Sequence, residues 1–482
     1  MKMNRIILML WLVACLSRAE LRMPSIFADG MVLQAGKPVP VWGEADAGTE
    51  VTVEFAGQKK SAVTSESGKW RVTLDPLPAS FEPRTLSIYS SLDTRHLILS
   101  NVLVGEVWIL AGQSNMGWML NQSEGGAEAS AQAVYPWLRV FKQWPNQGAC
   151  DVPARDVKGG QWNRCSPQTA AGFSGVGFFF ARELQKFLPP GTPVALIDTQ
   201  MGGTYAECWI DFQTLEKTPS ARPFLDKAAR EIVPGKDDAN GYWGPNNFRR
   251  PSALFNGKVS PIQPLAARGV IWYQGEGNSQ KWLASGYAET LTALITSWRS
   301  GFEQPDLPFL IVQLPRYGAG AGNDWPAVRA AQAQVAGQLS NVGMVVTIDC
   351  GEEKQIHPAD KQPVGERLAL LARAKVYGQD VACSGPVFQF VEKSGDALIV
   401  HFQFGNGLMF KDGVARGFEL CGADKKFIPA QAEILPAGVV KIFSPDIGDP
   451  VAVRYCWFNW GEVSLFNGAG LPAAPFHEVC SK

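Results

Sequence analysis

Four short polar motifs, each directly after an apolar run, carry the residue types of acyl-group chemistry. The first is Gly112-Gln113-Ser114-Asn115, which ends the run Glu106-Val-Trp-Ile-Leu-Ala111. Small residues before a serine let the chain turn sharply at a strand end and leave the hydroxyl exposed. Just past such a turn, free backbone N–H groups can face an anion. A Gly-x-Ser turn by itself is more often only a turn, so the other motifs decide its meaning. The second is Asp198-Thr-Gln-Met-Gly202-Gly203-Thr204. Paired glycines let backbone N–H groups approach a ligand closely, as an oxyanion site requires, which makes Gly203 a candidate donor; the plainer alternative is a tight turn. The third is Trp272-Tyr273-Gln274-Gly275-Glu276-Gly277-Asn278. It presents carboxamides and a carboxylate at a strand end, where a side-chain amide can donate to a developing oxyanion. The fourth is Asp349-Cys-Gly-Glu-Glu-Lys-Gln355-Ile356-His357-Pro358, followed by Lys361 and a predicted helix from about Val364.

A serine nucleophile needs a general base, and the chain holds 4 histidines. His96 and His401 sit in strand-like runs and His477 lies near the C-terminus. His357 sits in a polar loop after a strand of the middle region and is the best-placed base. A loop histidine is more often a surface group, but position and scarcity favour His357 here.

The elements that must position these motifs follow from the patterning. Residues 20–100 read as short strands, such as Val39–Gly43, Glu50–Phe55 and Lys69–Leu74, separated by glycine turns, which predicts a small antiparallel β-sandwich. Residues 101–380 change character. Apolar strands at 107–111, 194–198, 269–273, 309–313 and 344–348 alternate with helical stretches at 176–188 and 286–299. That is the pattern of an α/β domain with a parallel sheet, whose chemistry collects at the C-terminal ends of its strands. Residues 381–482 return to short strands, such as Ala397–Phe402 and Val439–Phe443, and read as a C-terminal β-domain.

The chain has 482 residues, a net charge of −1, 46% hydrophobic and 18% charged residues. A chain this long divides into two or three domains. Its charge offers no field for nucleic acid or an anionic membrane. Its 16 Trp and 26 Phe suit sugar-stacking surfaces, though most are expected in β-rich cores. Residues 1–19 read as an export signal: Lys2 and Arg5 are basic and Ile6–Ala14 is a short apolar run. Ser17-Arg18-Ala19 fits a signal-peptidase site before Glu20, giving a periplasmic or secreted protein. Leu12-Val13-Ala14-Cys15 fits a lipobox, which would place a lipid anchor at Cys15. No later apolar stretch is long enough for a transmembrane helix. Of 9 cysteines, Cys150 and Cys165 are closest in sequence and form the best candidate disulfide. No cysteine spacing matches a zinc site.

These motifs, in this order, resemble the sialate O-acetylesterase-like branch of the SGNH/GDSL hydrolases. The resemblance spans nearly the whole chain after the signal. It includes Ala28-Asp-Gly-Met-Val-Leu-Gln34, Val39-Pro-Val-Trp-Gly43, the four motifs above, Val453-Arg-Tyr455 and Gly470-Leu-Pro-Ala-Ala-Pro-Phe476. It implies an exported esterase that removes O-acetyl groups from sugars, with a flavodoxin-like three-layer domain flanked by β-domains and neither metal nor other cofactor. Carried onto this chain, Ser114 is the nucleophile and His357 the base. The oxyanion site comprises the N–H groups of Ser114 and Gly203 with an amide, Gln274 first and Asn278 second; Gln113 and Glu276 lie in the same motifs.

One departure stands out. The family carries an aspartate two residues before the histidine, and this chain has Gln355. A glutamine accepts a hydrogen bond but cannot stabilise imidazolium with charge. Either another carboxylate serves (Glu353, Glu352, Asp349 or Glu276), or a Ser–His dyad works alone, or the chain is a carbohydrate-binding or surface-lipoprotein scaffold. A smaller departure is Met201, where the family often has tryptophan. An arginine near the pocket would favour a carboxylate-bearing sugar such as sialic acid, and Arg316 and Arg329 lie near strand-end loops.

Overall fold

The computed structural model describes residues 21–91, 96–144, 147–231, 247–436 and 438–480. The expected signal segment and Cys15 lie outside these residues.

One strand organises the molecule. His96–Gly112 runs unbroken for 17 residues, and its burial changes partway. Up to Asn101 its residues are exposed or half-buried; from Val102 to Gly112 all are buried. The first half pairs antiparallel with Ser80–Ser90 in the N-terminal β-region. The second half lies in the central sheet, where strands covered on both faces must be continuously apolar. The predicted domain boundary at 100/101 therefore falls within a single strand. The N-terminal region also contains Glu50–Phe55 between Gln58–Val63 and Ser80–Ser90, and the antiparallel pair Val39–Glu44 with Lys69–Leu74. Val32–Gln34 pairs parallel to His96–Gly112, a departure from a purely antiparallel sandwich.

The central sheet has the order Val342–Val345, Phe309–Val312, Gly269–Tyr273, His96–Gly112, Val194–Asp198, Leu138–Lys142, Gln161–Arg164. All neighbours are parallel except the last pair, so the sheet is mixed. Helices cover both faces. Trp108 packs edge-on against Phe180 of the helix Gly175–Gln185. Trp272 packs against Trp298 of the helix Tyr287–Gly301. Trp272 is in register with Ala111, three positions from Trp108, so the two tryptophans point to opposite faces. The helix Gln362–Lys375 crosses Gly175–Gln185 closely at Gly365, where a Cβ would come within 2.6 Å of Phe179.

The C-terminal β-region has its own core around Leu420, Val440, Val453 and Tyr455. Two arginines join it to the α/β region. Arg329, fully buried, donates to the carbonyl oxygens of Cys456 and Phe458, and Arg316 donates to that of Gly461 at 2.8 Å. Both arginines are engaged by carbonyls of the C-terminal region. The strand expected at 344–348 runs instead from Val342 to Val345. It ends where Ile348–Cys350 forms a 3-10 turn leading into the histidine loop.

The expected Cys150–Cys165 disulfide is absent; both are free thiols. Cys165 is buried where its N–H donates to Leu138, whereas Cys150 sits against Ala253 and Asn256. Among the described residues no helix is long and apolar enough to cross a membrane.

Candidate active site

Gly112 shapes the turn before the serine. Its φ is +129°, in a region that favours glycine, and a Cβ there would meet the Tyr273 carbonyl oxygen at 2.1 Å. The absent side chain lets strand His96–Gly112 end flush against Gly269–Tyr273, and Gln113 N–H donates to that same oxygen at 2.9 Å. Ser114 then opens a one-turn helix, Ser114–Gly117. As the first residue of that turn its N–H has no intrahelical partner.

The Gly-Gly-Thr loop closes over this turn. Met201 N–H donates to the Gly112 carbonyl at 3.0 Å, and Met201 is fully buried. A Cβ on Gly202 would sit 3.4 Å from that of Ser114, so this loop is in van der Waals reach of the nucleophile. Gly203 has φ +68°, and the Arg249 guanidinium lies against it, with Nε donating to the Gly203 carbonyl at 2.8 Å. Among the described residues, no acceptor takes the N–H of Ser114, Gly202 or Gly203.

His357 completes the pair. Its Nε2 lies 2.7 Å from Ser114 Oγ. The ring stacks on Trp118, with centroids 5.1 Å apart and planes inclined at 24°. Trp118 lies four residues after Ser114, a helical spacing that brings it beside the nucleophile. The other histidines are elsewhere: His96 stacks on Tyr89, His401 pairs with Glu392, and His477 packs against Trp457. Burial lowers the His357 pKa from its usual value, and the nearby Lys361 charge lowers it further. The neutral imidazole is the form that accepts the serine proton, so activity should persist into mild acid. The acid limb of kcat/KM is expected to have its midpoint below pH 6.5. A midpoint at or above that value contradicts this environment.

None of the candidate acids touches the imidazole. Asp349 is held by Arg367 through two bonds of 2.7 and 2.6 Å. Glu352 accepts from Ala359 N–H at 3.0 Å, and Glu353 is exposed. Gln355 is exposed too, and its Oε1 accepts the backbone N–H of His357 at 3.2 Å rather than the ring. His357 Nδ1 has no hydrogen-bond partner among the described residues.

Glu276 is buried behind the serine. Its Oε1 accepts from Asn115 Nδ2 at 2.6 Å, its Oε2 has no partner among the described residues, and burial raises its pKa to about 7. Asn115 also donates to the Ile356 carbonyl at 2.9 Å and accepts from Lys361 Nζ at 2.6 Å. Lys361 is 1% exposed, and burial lowers its pKa to about 8.

The remaining carboxamides face inward. Gln274 spends both N–H donors, on the Thr204 carbonyl at 3.1 Å and on Asn278 Oδ1 at 2.8 Å, while its Oε1 accepts from Tyr287. Asn278 accepts from Ala206 N–H and donates to both oxygens of Glu207. These two amides, expected as oxyanion donors, instead brace the Gly-Gly-Thr loop from beneath. Their donors are already taken: those of Gln274 by the Thr204 carbonyl and Asn278, and those of Asn278 by the buried Glu207, 71 residues away in sequence. Gln113 is buried as well and its Oε1 accepts from Gly277 N–H at 3.2 Å, joining the first and third motifs. Trp118 and Arg249 were not legible as site residues, since only the fold brings Trp118 onto His357 and Arg249 onto the Gly203 turn.

Comparison with known proteins agrees with this architecture. Residues 243–372 match the family model "Carbohydrate esterase, sialic acid-specific acetylesterase". The sialate O-acetylesterase of Mus musculus is 28% identical over 97% of this chain and 97% of its own length. That of Homo sapiens is 28% identical over 94% of this chain and 92% of its own. A solved structure, the carbohydrate acetylesterase of Xanthomonas citri, is 34% identical with a TM-score of 0.84, covering 95% of this chain and 99% of that one. A serine and histidine in hydrogen-bond contact at the mouth of this sheet, and full-length similarity to such esterases, have one common reading: the chain belongs to the sialate O-acetylesterase-like family of carbohydrate esterases and is a carboxylic-ester hydrolase.

Proposed function

We propose that this esterase removes O-acetyl groups from sugars through an acetyl-Ser114 intermediate. The observation that carries the reading is the 2.7 Å contact between His357 Nε2 and Ser114 Oγ. His357 takes the serine proton as Oγ attacks the acetyl carbonyl. The resulting oxyanion sits against the free N–H groups of Ser114 and Gly203, which need no reorganisation to receive it. The sugar oxygen leaves with the proton from His357. Water then repeats the sequence in reverse, releasing acetate. The pair works as a dyad, because the candidate carboxylates are committed elsewhere or exposed.

The fold supports an SGNH, flavodoxin-like reading of the α/β region. With Leu138–Lys142 and Gln161–Arg164 counted as edge additions, the parallel strands follow the order 2-1-3-4-5. Ser114 then lies at the switch point, beside the first strand. For the substrate we favour a carboxylate-bearing sugar of the sialate type. Support for this comes from Arg249, whose guanidinium lies on the Gly203 turn, more than from Arg316 and Arg329, which bond the C-terminal region. Export is supported by the basic start, the short apolar run and the Ala19 and Cys15 processing patterns, and N-terminal sequencing of the mature protein tests it.

Labelling with a fluorophosphonate tests the mechanism. Peptide mapping is expected to find the adduct on Ser114, and an unmodified Ser114 overturns the reading. Acetate release from 9-O-acetylated sialic acid, set against an acetylated neutral sugar, tests the substrate. Gln355→Asp is expected to raise kcat about tenfold or more and to move the acid limb of kcat/KM to higher pH. A nearby carboxylate favours imidazolium, and its amide replacement costs about 10⁴-fold in a serine protease triad. An unchanged rate and limb would show that a carboxylate at 355 stays on the backbone N–H.

A further inference from the structure

We propose that Asn115, gripped between Lys361 and Glu276, is the positioning residue of His357: it ties the histidine loop to the nucleophile turn and so supplies the orientation that an acid on Nδ1 gives in a triad. The proposal rests on the serine reading above. Asn115 directly follows Ser114, and Ile356 directly precedes His357. The 2.9 Å bond from Asn115 Nδ2 to the Ile356 carbonyl therefore links the neighbour of the nucleophile to the neighbour of the base. A shift of either loop would have to break it.

The amide is fixed from both ends. Lys361 Nζ holds its oxygen at 2.6 Å, and Glu276 Oε1 takes its nitrogen at 2.6 Å. Asn115 is fully buried, Lys361 is 1% exposed and Glu276 7%. Burying a cation and a carboxylate is costly, and an amide whose oxygen and N–H groups are all engaged is how such charges are compensated. The cluster is thus a rigid junction of three of the four motifs. Lys361 reaches the base by a second route. Its Nζ lies 6.0 Å from the Trp118 ring centre and 5.7 Å from that of Tyr273, and Trp118 stacks on His357.

The groups facing His357 are Ser114 and Trp118 from the nucleophile turn and Lys361 from its own segment. Glu276, Cys350, Glu352 and Asp360 in turn face Lys361. Burial first and the Lys361 charge second thus lower where the base titrates, while Asn115 sets where it points.

Two variants test this, assayed on the full chain for acetate release and fluorophosphonate labelling. Asn115→Ala is expected to lower kcat and the labelling rate about 100-fold, the cost of an ångström-scale misplacement, with KM within twofold. Lys361→Met takes the donor from Asn115 Oδ1, so it should slow labelling as well, and it removes the charge. It is expected to move the acid limb of kcat/KM to higher pH and to raise the His357 pKa, read by NMR among only 4 histidines. A wild-type labelling rate in Asn115→Ala, or a loss confined to KM, overturns the proposal. Should Asn115→Ala not fold, the labelling rate of Lys361→Met decides, because that variant loosens the same amide. Failure of Ser114 to label in the wild type would instead overturn the serine reading on which the proposal stands.

Discussion

Replacing Ser114 with alanine is expected to lower kcat for acetate release by about 10⁵-fold, roughly 7 kcal/mol of transition-state stabilisation. The substitution removes the hydrogen-bond partner of His357 Nε2 and leaves the rest of the site intact. Stability should change little, because Ser114 is half-buried and its hydroxyl makes no other bond among the described residues. Gly112 and the Gly-Gly-Thr loop are held by backbone bonds that the alanine does not disturb. The free backbone N–H groups at positions 114 and 203 would remain, so the variant should still bind substrate with an ordinary KM. Thermal unfolding within a few degrees of wild type, together with the rate loss, establishes a chemical role. A kcat within about 100-fold of wild type would mean that another group attacks the ester, because the oxyanion site and binding alone supply only the residual rate.

The second large effect is expected for His357→Ala, about 10⁴-fold or more in kcat. Without the imidazole the serine proton has no acceptor, since Gln355 and the neighbouring carboxylates do not reach Oγ. The remaining slow rate should lose the acid limb described above, because the group that titrates there is gone. The double variant Ser114→Ala/His357→Ala should be no slower than Ser114→Ala, because residues that act as one unit lose their joint contribution once. Additive losses would separate the two residues into independent roles. Loss of the Trp118 stacking partner makes a small drop in stability acceptable in this variant.

Much of the framework was legible because it is written in local pattern. The change of character near residue 101 marks where the long strand passes from an exposed β-region into a sheet covered on both faces. The strands Val194–Asp198 and Gly269–Tyr273 have the predicted bounds. The scarcity of histidines singled out His357. The Cys150–Cys165 pairing failed because closeness in sequence says nothing about which elements carry the two thiols. The inward turn of Gln274 and Asn278 was illegible because their partners, Glu207 and Tyr287, lie outside the motif.

By itself, the sequence determined which residues stand at strand ends and which backbone positions must be glycine. Both depend on short-range sterics: Gly112 has to adopt a φ of +129° against a neighbouring carbonyl, and the turn after it exposes Ser114. Only the tertiary structure decided which polar groups face the substrate and which brace the site. Asn115 meets Glu276 across 161 residues and Lys361 across 246. Bonds of that separation form where packed elements happen to bring buried donors and acceptors together. Once water is excluded every such group takes the nearest partner it can find, whatever its motif suggests.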